Sequence, residues 1–121
     1  MRIDRFGSTI ALALLLGTAA ASRADTTITG EKLGAFFQIT VPDNWNGTLV
    51  INNHGHDFNP PGPNPSLGGL APLMLSEGYA VAASSYSQCC WTLFTTQQDI
   101  NRLIGIFEAT SIDRRVKGMP S

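Results

Sequence analysis

Residues 48–83 read TLVINNHGHDFNPPGPNPSLGGLAPLMLSEGYAVAA, and this stretch decides the predicted fold. It begins with the short apolar run Thr48–Asn52, which suits a strand buried on both faces of a largely parallel sheet, and it ends with a second short apolar run, Tyr79–Ala83. Two strands joined through a helix are parallel when they follow the usual right-handed crossover. The stretch therefore predicts a β-loop-α-β unit.

The segment between the two predicted strands contains a loop and then a helix. Residues 58–66, FNPPGPNPS, hold four of the seven prolines and predict an ordered loop over the end of the preceding strand. From Leu67 to Glu77 apolar residues recur at close to helical spacing. Ser66 is the expected N-cap of this helix and Gly78 its C-terminal stop.

Further elements flank the unit on both sides. The run Gly34–Val41, GAFFQITV, is rich in aromatic and β-branched residues and predicts a strand. Residues Thr95–Thr110 predict an amphipathic helix capped by Thr95 or Thr96, with Ile100, Leu103, Ile104 and Phe107 on its apolar face. The order strand, strand, helix, strand, helix predicts an α/β fold with a partial, mostly parallel sheet and flanking helices.

The N-terminal residues are typical of an export signal. Arg2 and Arg5 give a basic start, and residues 10–16 form a short uncharged apolar core. Ser22 and Ala24 fit the small-x-small pattern for cleavage before residue 25. We expect residues 1–24 to be a signal peptide and the protein to be exported, to the periplasm or the medium. The alternative is an uncleaved N-terminal anchor.

The remaining 97 of the 121 residues, 25–121, suffice for one small domain with one modest core. The formal net charge of −1 is spread without a basic cluster or an acidic tail. This distribution argues against a nucleic-acid partner and against binding to an anionic membrane surface. We also expect no stable membrane span after signal cleavage and no cofactor.

Cys89 and Cys90 are adjacent and are the only cysteines in the chain. Neighbouring cysteines rarely bridge each other because the resulting ring is strained, so we expect no disulfide between them. In an oxidising compartment, the remaining alternatives are two free thiols, an intermolecular bridge, or partners in a part of the protein that this chain lacks.

Several short strings together resemble a known family. They are Val41-Pro42 followed by WNGTLV at 45–50, then His54-Gly55, then GYAVAASSYS at 78–87. In this order and spacing they are similar to the N-terminal region of exported serine hydrolases of the α/β-hydrolase family. The resemblance covers residues 34–116. It implies that residues 25–121 are an incomplete α/β-hydrolase-like domain.

The resemblance also implies a role for the loop after the His-Gly strand. In that family this loop contributes a backbone N–H to the oxyanion hole, and Gly55 and His56 occupy the matching positions. The alternative is that Gly55 only permits a tight turn and that His56 is a solvated side chain. The implied substrate of the intact enzyme is a small-molecule ester or peptide.

The residues that would complete the catalysis are missing from the sequence. No G-x-S-x-G elbow with a later acid and histidine is present. Ser121 follows a proline and lacks the downstream glycine, and no base is placed beside Ser84, Ser85 or Ser87 by the sequence. We therefore expect an inactive N-terminal fragment of a serine hydrolase.

Three other interpretations remain open. His54-x-His56-Asp57 has two imidazoles on one side of an extended segment, but a zinc site needs a third or fourth ligand, so we expect no metal.

Tyr86 and Trp91 could contact a substrate or serve only in packing. The chain could instead be a small exported binding module, using the proline-rich loop and an uncovered sheet edge through which it could also associate.

Overall fold

Four strands and two helices follow one another along residues 24–110, the part of the chain that this computed structural model describes. The elements are β1 Thr26–Lys32, β2 Ala35–Val41, β3 Leu49–Asn52, α1 Ala71–Ser76, β4 Ala80–Ser84 and α2 Thr96–Glu108. The predicted signal peptide, apart from Ala24, lies outside the described residues. So do the end of the family resemblance and Ser121.

The strands form one mixed sheet in the order β1-β2-β4-β3. β1 pairs antiparallel with β2 and β2 antiparallel with β4, and only β3 and β4 are parallel. The prediction of a mostly parallel sheet, as the N-terminal part of an α/β-hydrolase fold, is therefore wrong for the described residues. The β3-α1-β4 unit does have the expected parallel strands, because a crossover through a helix returns the chain in the same direction.

The antiparallel character begins with a hairpin that the sequence pattern did not predict. β1 and β2 are joined by Leu33 and Gly34, whose φ angles of 53° and 88° are those of a type I′ turn, and such a short connection can only join antiparallel strands. β1, TTITGEK, has a single large apolar residue and no hydrophobic alternation, although its threonines have high β-propensity. A Cβ at Gly30 would lie 2.6 Å from the tip of the Phe37 ring, so a larger residue there would displace that ring.

Helix α2 forms the core with one face of the sheet. Leu103 and Phe107 are buried against Ile39 and its neighbours on β2 and β4, and the Trp45 ring packs edge-on against Phe107 at 5.3 Å between centroids. Burial of side chains such as these contributes about 1.5–3 kcal/mol each relative to exposure. The predicted amphipathic helix is therefore confirmed, with Ile100 and Ile104 half-buried at the edge of its apolar face.

Helix α1 is shorter than predicted. It begins at Ala71 after Leu70, which makes no side-chain cap, and Pro72 occupies its first turn, where a missing N–H costs nothing. Ser66 is not the N-cap, because its hydroxyl accepts a hydrogen bond from the Gly68 N–H instead. Gly78, with φ 90°, follows the C-cap and ends the helix as predicted.

The two central predicted strands differ in burial. All five residues of β4 are buried, and described strands flank it on both sides. The prediction that the Thr48–Asn52 strand is buried on both faces is wrong, because β3 lies at the edge of the described sheet and is only half-buried along its length. Within residues 24–110, no helix has the length and apolar character needed to cross a membrane.

Candidate functional site

The candidate site lies where the parallel strands β3 and β4 end side by side. Asn52 is paired with Ala83, so the segments that follow the two strands, starting at His54 and Ser85, leave the sheet at the same edge. In sheets with parallel strands, ligands bind in the crevice outside the carboxyl ends of those strands. The sequence predicted Gly55 and His56 at this position, and the structure places both of them there.

Tyr86 and His54 join the two segments. The Tyr86 hydroxyl donates a hydrogen bond to the His54 carbonyl oxygen at 3.1 Å, and the two rings stack with centroids 4.1 Å apart. The His54 ring nitrogens face carbonyl oxygens, Nδ1 that of Gly55 at 2.8 Å and Nε2 that of Ser85 at 3.3 Å. These contacts hold the imidazole in place, and which ring nitrogen donates depends on the tautomer.

Burial raises the pKa of Tyr86 above its ordinary value, and the negative charge of Asp99 adds to this effect. The tyrosine is therefore a neutral hydrogen-bond donor at physiological pH. Its backbone has φ 60°, and that of Cys90 has φ 71°, both in the left-handed region. Side-chain-bearing residues adopt this conformation at a cost of about 1–2 kcal/mol, and such residues cluster at functional sites.

Two clefts open on either side of the His54 and Tyr86 pair. The first, the proline-side cleft, has a volume of about 280 Å³ and lies between residues 59–66 and Cys89-Cys90. The second, the aromatic-side cleft, has a volume of about 350 Å³ and lies between Gly55-His56 and residues 90–93. Both volumes are near the lower end of the range for small-molecule sites.

Gly55 and His56 line the aromatic-side cleft and are exposed. Within the described part of the chain, neither backbone N–H donates a hydrogen bond. Apart from Gly55 and its two chain neighbours, no described residue has an atom within 4 Å of the place that a Cβ at Gly55 would occupy. The cleft therefore offers open space beside two neighbouring backbone N–H groups that are not engaged within the described chain.

The His56 side chain belongs to an aromatic cluster. Its ring contacts Phe58 edge-on at 4.4 Å and Trp91 at 5.2 Å between centroids. Phe58 and Trp91 are 84% and 77% exposed, which is unusual for large apolar side chains. The three rings form one cluster, and two of them, His56 and Trp91, line the aromatic-side cleft.

Cys89 and Cys90 form a disulfide with each other. The expectation that adjacent cysteines would not bridge is therefore wrong. The left-handed backbone of Cys90 brings the two sulfurs to the same side, and the Cys90 N–H donates a hydrogen bond to the Asp57 carbonyl oxygen at 2.9 Å. This contact holds residues 89–91 against the loop that contains Gly55 and His56.

Asp57 forms hydrogen bonds within its own turn. Its carboxylate accepts hydrogen bonds from the Asn59 backbone at 2.9 Å and from the Asn59 side chain at 2.8 Å. The backbone hydrogen bond lowers the Asp57 pKa, and the side-chain bond and the two nearby histidines act in the same direction. In residues 24–110, no three histidine, cysteine, aspartate or glutamate side chains meet in a group that could hold a metal ion.

Asp99 stabilises the segment that follows β4, a role that the sequence analysis did not assign. The side chain is buried and accepts hydrogen bonds from the Ser87 N–H at 2.8 Å and from the Ser87 hydroxyl at 2.9 Å. Arg102 adds an ion pair at 2.9 Å. The sequence did contain a sign of this role. Asp99 lies one turn before Leu103 on the apolar face of the helix, where burying an unpaired carboxylate would be costly, so a hydrogen-bonding partner was to be expected.

The serines that follow β4 are engaged in structural hydrogen bonds. The Ser84 hydroxyl accepts from the Tyr86 N–H, and the Ser85 hydroxyl donates to the Tyr86 carbonyl oxygen. The Ser87 hydroxyl donates to Asp99. None of the three hydroxyls is hydrogen-bonded to a described histidine, so none is activated as a nucleophile in the way that a catalytic serine is.

Comparison with known proteins finds no matching protein-family model, no matching curated protein and no matching solved structure.

Proposed function

We propose that this chain carries the oxyanion-binding part of an exported serine hydrolase that cleaves ester or amide bonds. The catalytic serine, acid and histidine would come from sequence that this chain lacks, so the chain is inactive as it stands. The observation that carries the proposal is the pair of unengaged N–H groups of Gly55 and His56 at the end of β3, beside an open cleft.

The chemistry of acyl transfer explains why such a pair matters. When a nucleophile attacks an ester or amide carbonyl, the oxygen acquires negative charge, and backbone donors at 2.7–3.1 Å stabilise it in the transition state. Removing one donor from such a site costs on the order of 100- to 1000-fold in rate. Gly55 suits this role because it has no side chain to obstruct the approaching oxygen.

The family resemblance supports the same role for the loop. The mixed sheet corrects the strand directions expected from that resemblance, but the β3 and β4 pair that positions Gly55 is parallel. The engaged hydroxyls of Ser84, Ser85 and Ser87 agree with a nucleophile that lies elsewhere.

The first experiment is to read the gene through and beyond codon 121 in all three frames. The proposal expects a G-x-S-x-G string, then an Asp or Glu, then a His, in a continuous or shifted frame. A real stop codon with no such strings downstream would exclude catalysis by this mechanism.

The second experiment is an assay of the purified chain with p-nitrophenyl butyrate. We expect no hydrolysis above that of the Gly55→Ala and Ser121→Ala variants. Turnover by the wild-type chain that disappears in Ser121→Ala would contradict the proposal, because the chain would then contain its own nucleophile.

If the coding sequence does continue, the joined protein tests the oxyanion role directly. His56→Ala removes the imidazole but keeps the backbone N–H, so we expect it to retain most of the activity. Gly55→Ala keeps the N–H and adds a methyl group at the access path, so we expect kcat/KM to fall at least tenfold. Equal activity of both variants and wild type would contradict the role.

The second candidate is a small exported binding module. The proline-side cleft favours it, because the proline-rich loop expected to be its contact surface lines that cleft. A monomeric mature chain with one cooperative unfolding transition would support this candidate. A chain that associates or unfolds without cooperativity would support the fragment.

A further inference from the structure

The aromatic-side cleft carries information about the ligand that the site accepts. Its described lining residues, which include His56, Trp91 and Leu93, contain no aspartate, glutamate, lysine or arginine. The described lining has no lysine or arginine to form an ion pair with an anionic ligand and no carboxylate to pair with a cationic one, so only hydrogen bonds would offset the cost of removing a charged ligand group from water. The cleft is therefore matched to an uncharged ligand.

The aromatic cluster indicates the shape of that ligand. The rings of His56, Phe58 and Trp91 are held against each other, and Trp91 lines the cleft with most of its surface exposed. An exposed indole beside a cleft offers a flat apolar face, and aromatic rings gain stability from stacked or edge-on pairing beyond the area they bury.

Trp91 lies near the backbone N–H donors of Gly55 and His56, which connects the aromatic cluster to the proposed oxyanion site. Trp91 contacts the side chain of His56, and the N–H of His56 is one of the two unengaged donors. Because Gly55, His56 and Trp91 line the same cleft, a ligand whose carbonyl group is bound by Gly55 and His56 can extend its substituent toward the indole. The volume of about 350 Å³ accommodates one substituted ring.

We infer that the substrate is an uncharged aromatic ester or amide whose ring packs on Trp91 while its carbonyl oxygen faces the Gly55 and His56 N–H groups. This inference rests on the proposed function for the role of the two N–H groups. Trp91 acts as a binding and specificity residue, with His56 as the ring that positions it. The Cys89-Cys90 bridge fixes the backbone from which Trp91 extends.

The test uses the ¹⁵N-labelled mature chain and three small probes: methyl benzoate, benzoate and methyl cyclohexanecarboxylate. These compare an uncharged aromatic ester with its charged acid and with a non-aromatic ester of similar size. We expect methyl benzoate to bind with a Kd on the order of 1 mM, as suits so small a ligand. The Trp91 indole N–H and the Gly55 and His56 amides should shift, and both other probes should bind at least tenfold more weakly.

Two variants make the test specific. Trp91→Ala should weaken methyl benzoate binding at least tenfold, whereas Phe94→Ala should leave it unchanged, because Phe94 is 93% exposed and lines neither cleft. Since Trp91 is mostly exposed, its truncation should leave the Tm within a few degrees of wild type, and Trp91→Phe should restore part of the affinity.

The outcomes separate the inference from the proposed function. Shifts at Trp91 with unmoved Gly55 and His56 amides would support an aromatic site but overturn the oxyanion role. Shifts at the two amides with unchanged affinity in Trp91→Ala would overturn the inference and leave the proposed function standing. Equal binding of all three probes, or no binding of methyl benzoate at 20-fold above the expected Kd, would also overturn the inference.

Discussion

The Tyr86 hydroxyl donates a hydrogen bond to the carbonyl oxygen of His54 at 3.1 Å, while the two rings stack at 4.1 Å. This contact joins the segment after β4 to the segment after β3, although 32 residues separate them along the chain. The position of the Gly55 loop therefore depends on a side chain from the neighbouring strand.

Replacing Tyr86 by phenylalanine removes the hydroxyl and keeps the ring. We expect the free energy of unfolding to fall by about 1 kcal/mol, the usual contribution of one hydrogen bond. Urea unfolding measures this change, and amide spectra should show shifts at Gly55 and His56. Tyr79→Phe is the matched control and should leave these amides unmoved. Identical Gly55 shifts in both variants would contradict the coupling.

The raised pKa of Tyr86 predicts a loss of stability at alkaline pH. The folded protein holds the proton above pH 10.0, the ordinary value, whereas the unfolded chain releases it there. This stabilisation is complete below pH 10 and is lost as the pH rises through the folded-state pKa. In Tyr79→Phe, Tyr86 is the only tyrosine left, so absorbance at 295 nm reports its titration. A midpoint at or below 10 would contradict the prediction.

Asp99 is expected to be a main determinant of the stability of the site. Asp99→Ala leaves the Ser87 donors and Arg102 without their acceptor, and we expect a loss of about 2–4 kcal/mol in the free energy of unfolding. Gln98→Ala, at an exposed position on the same helix, should change it by no more than about 0.5 kcal/mol. Comparable losses in the two variants would show that Asp99 has no special role.

Reducing the Cys89-Cys90 bridge should loosen the cleft without unfolding the sheet. The bridge holds residues 89 and 90 together, and without it Cys90 is free to leave its left-handed backbone and its hydrogen bond to Asp57. We expect faster amide exchange at Cys90 and a shifted Trp91 indole signal, with unchanged exchange at Ile39 in the core. The ring closes only two residues, so the loss of stability should be about 1 kcal/mol.

The double variant Cys89→Ser/Cys90→Ser should reproduce the spectrum of the chain treated with dithiothreitol. A Trp91 signal that does not move in either preparation would show that the bridge does not position the indole.

The free edge of β3 is the expected site of self-association. Leu49 and Ile51 pack on the core, so Val50 faces the other side of the sheet beside that edge. We expect Val50→Lys to lower the sedimentation-measured association of the mature chain, because a charge at an edge opposes pairing. Thr29→Lys on β1, an edge strand that is already polar and exposed, is the control and should have no effect. A larger effect of Thr29→Lys would place the contact on β1.

Local sequence patterns were sufficient for the elements with strong hydrophobic signals. The runs that became β2, β3 and β4 and the amphipathic face around Leu103 were each predicted close to their observed positions. Gly55 and His56 were predicted from a short string after a strand, and the pairing of β3 with β4 places them at a cleft. β1 was missed because an exposed edge strand needs no apolar alternation.

What the sequence alone determined is therefore the identity of the buried segments and the residue types available at the ends of β3 and β4. The tertiary structure decided the strand directions, since a two-residue turn at Leu33 and Gly34 and a crossover helix impose opposite senses on neighbouring pairs. The tertiary structure also decided which side chains are in contact. Strand pairing and left-handed backbone bring together Tyr86 and His54, Asp99 and Ser87, and the two adjacent cysteines. Hydrophobic periodicity in the sequence encodes neither of these causes.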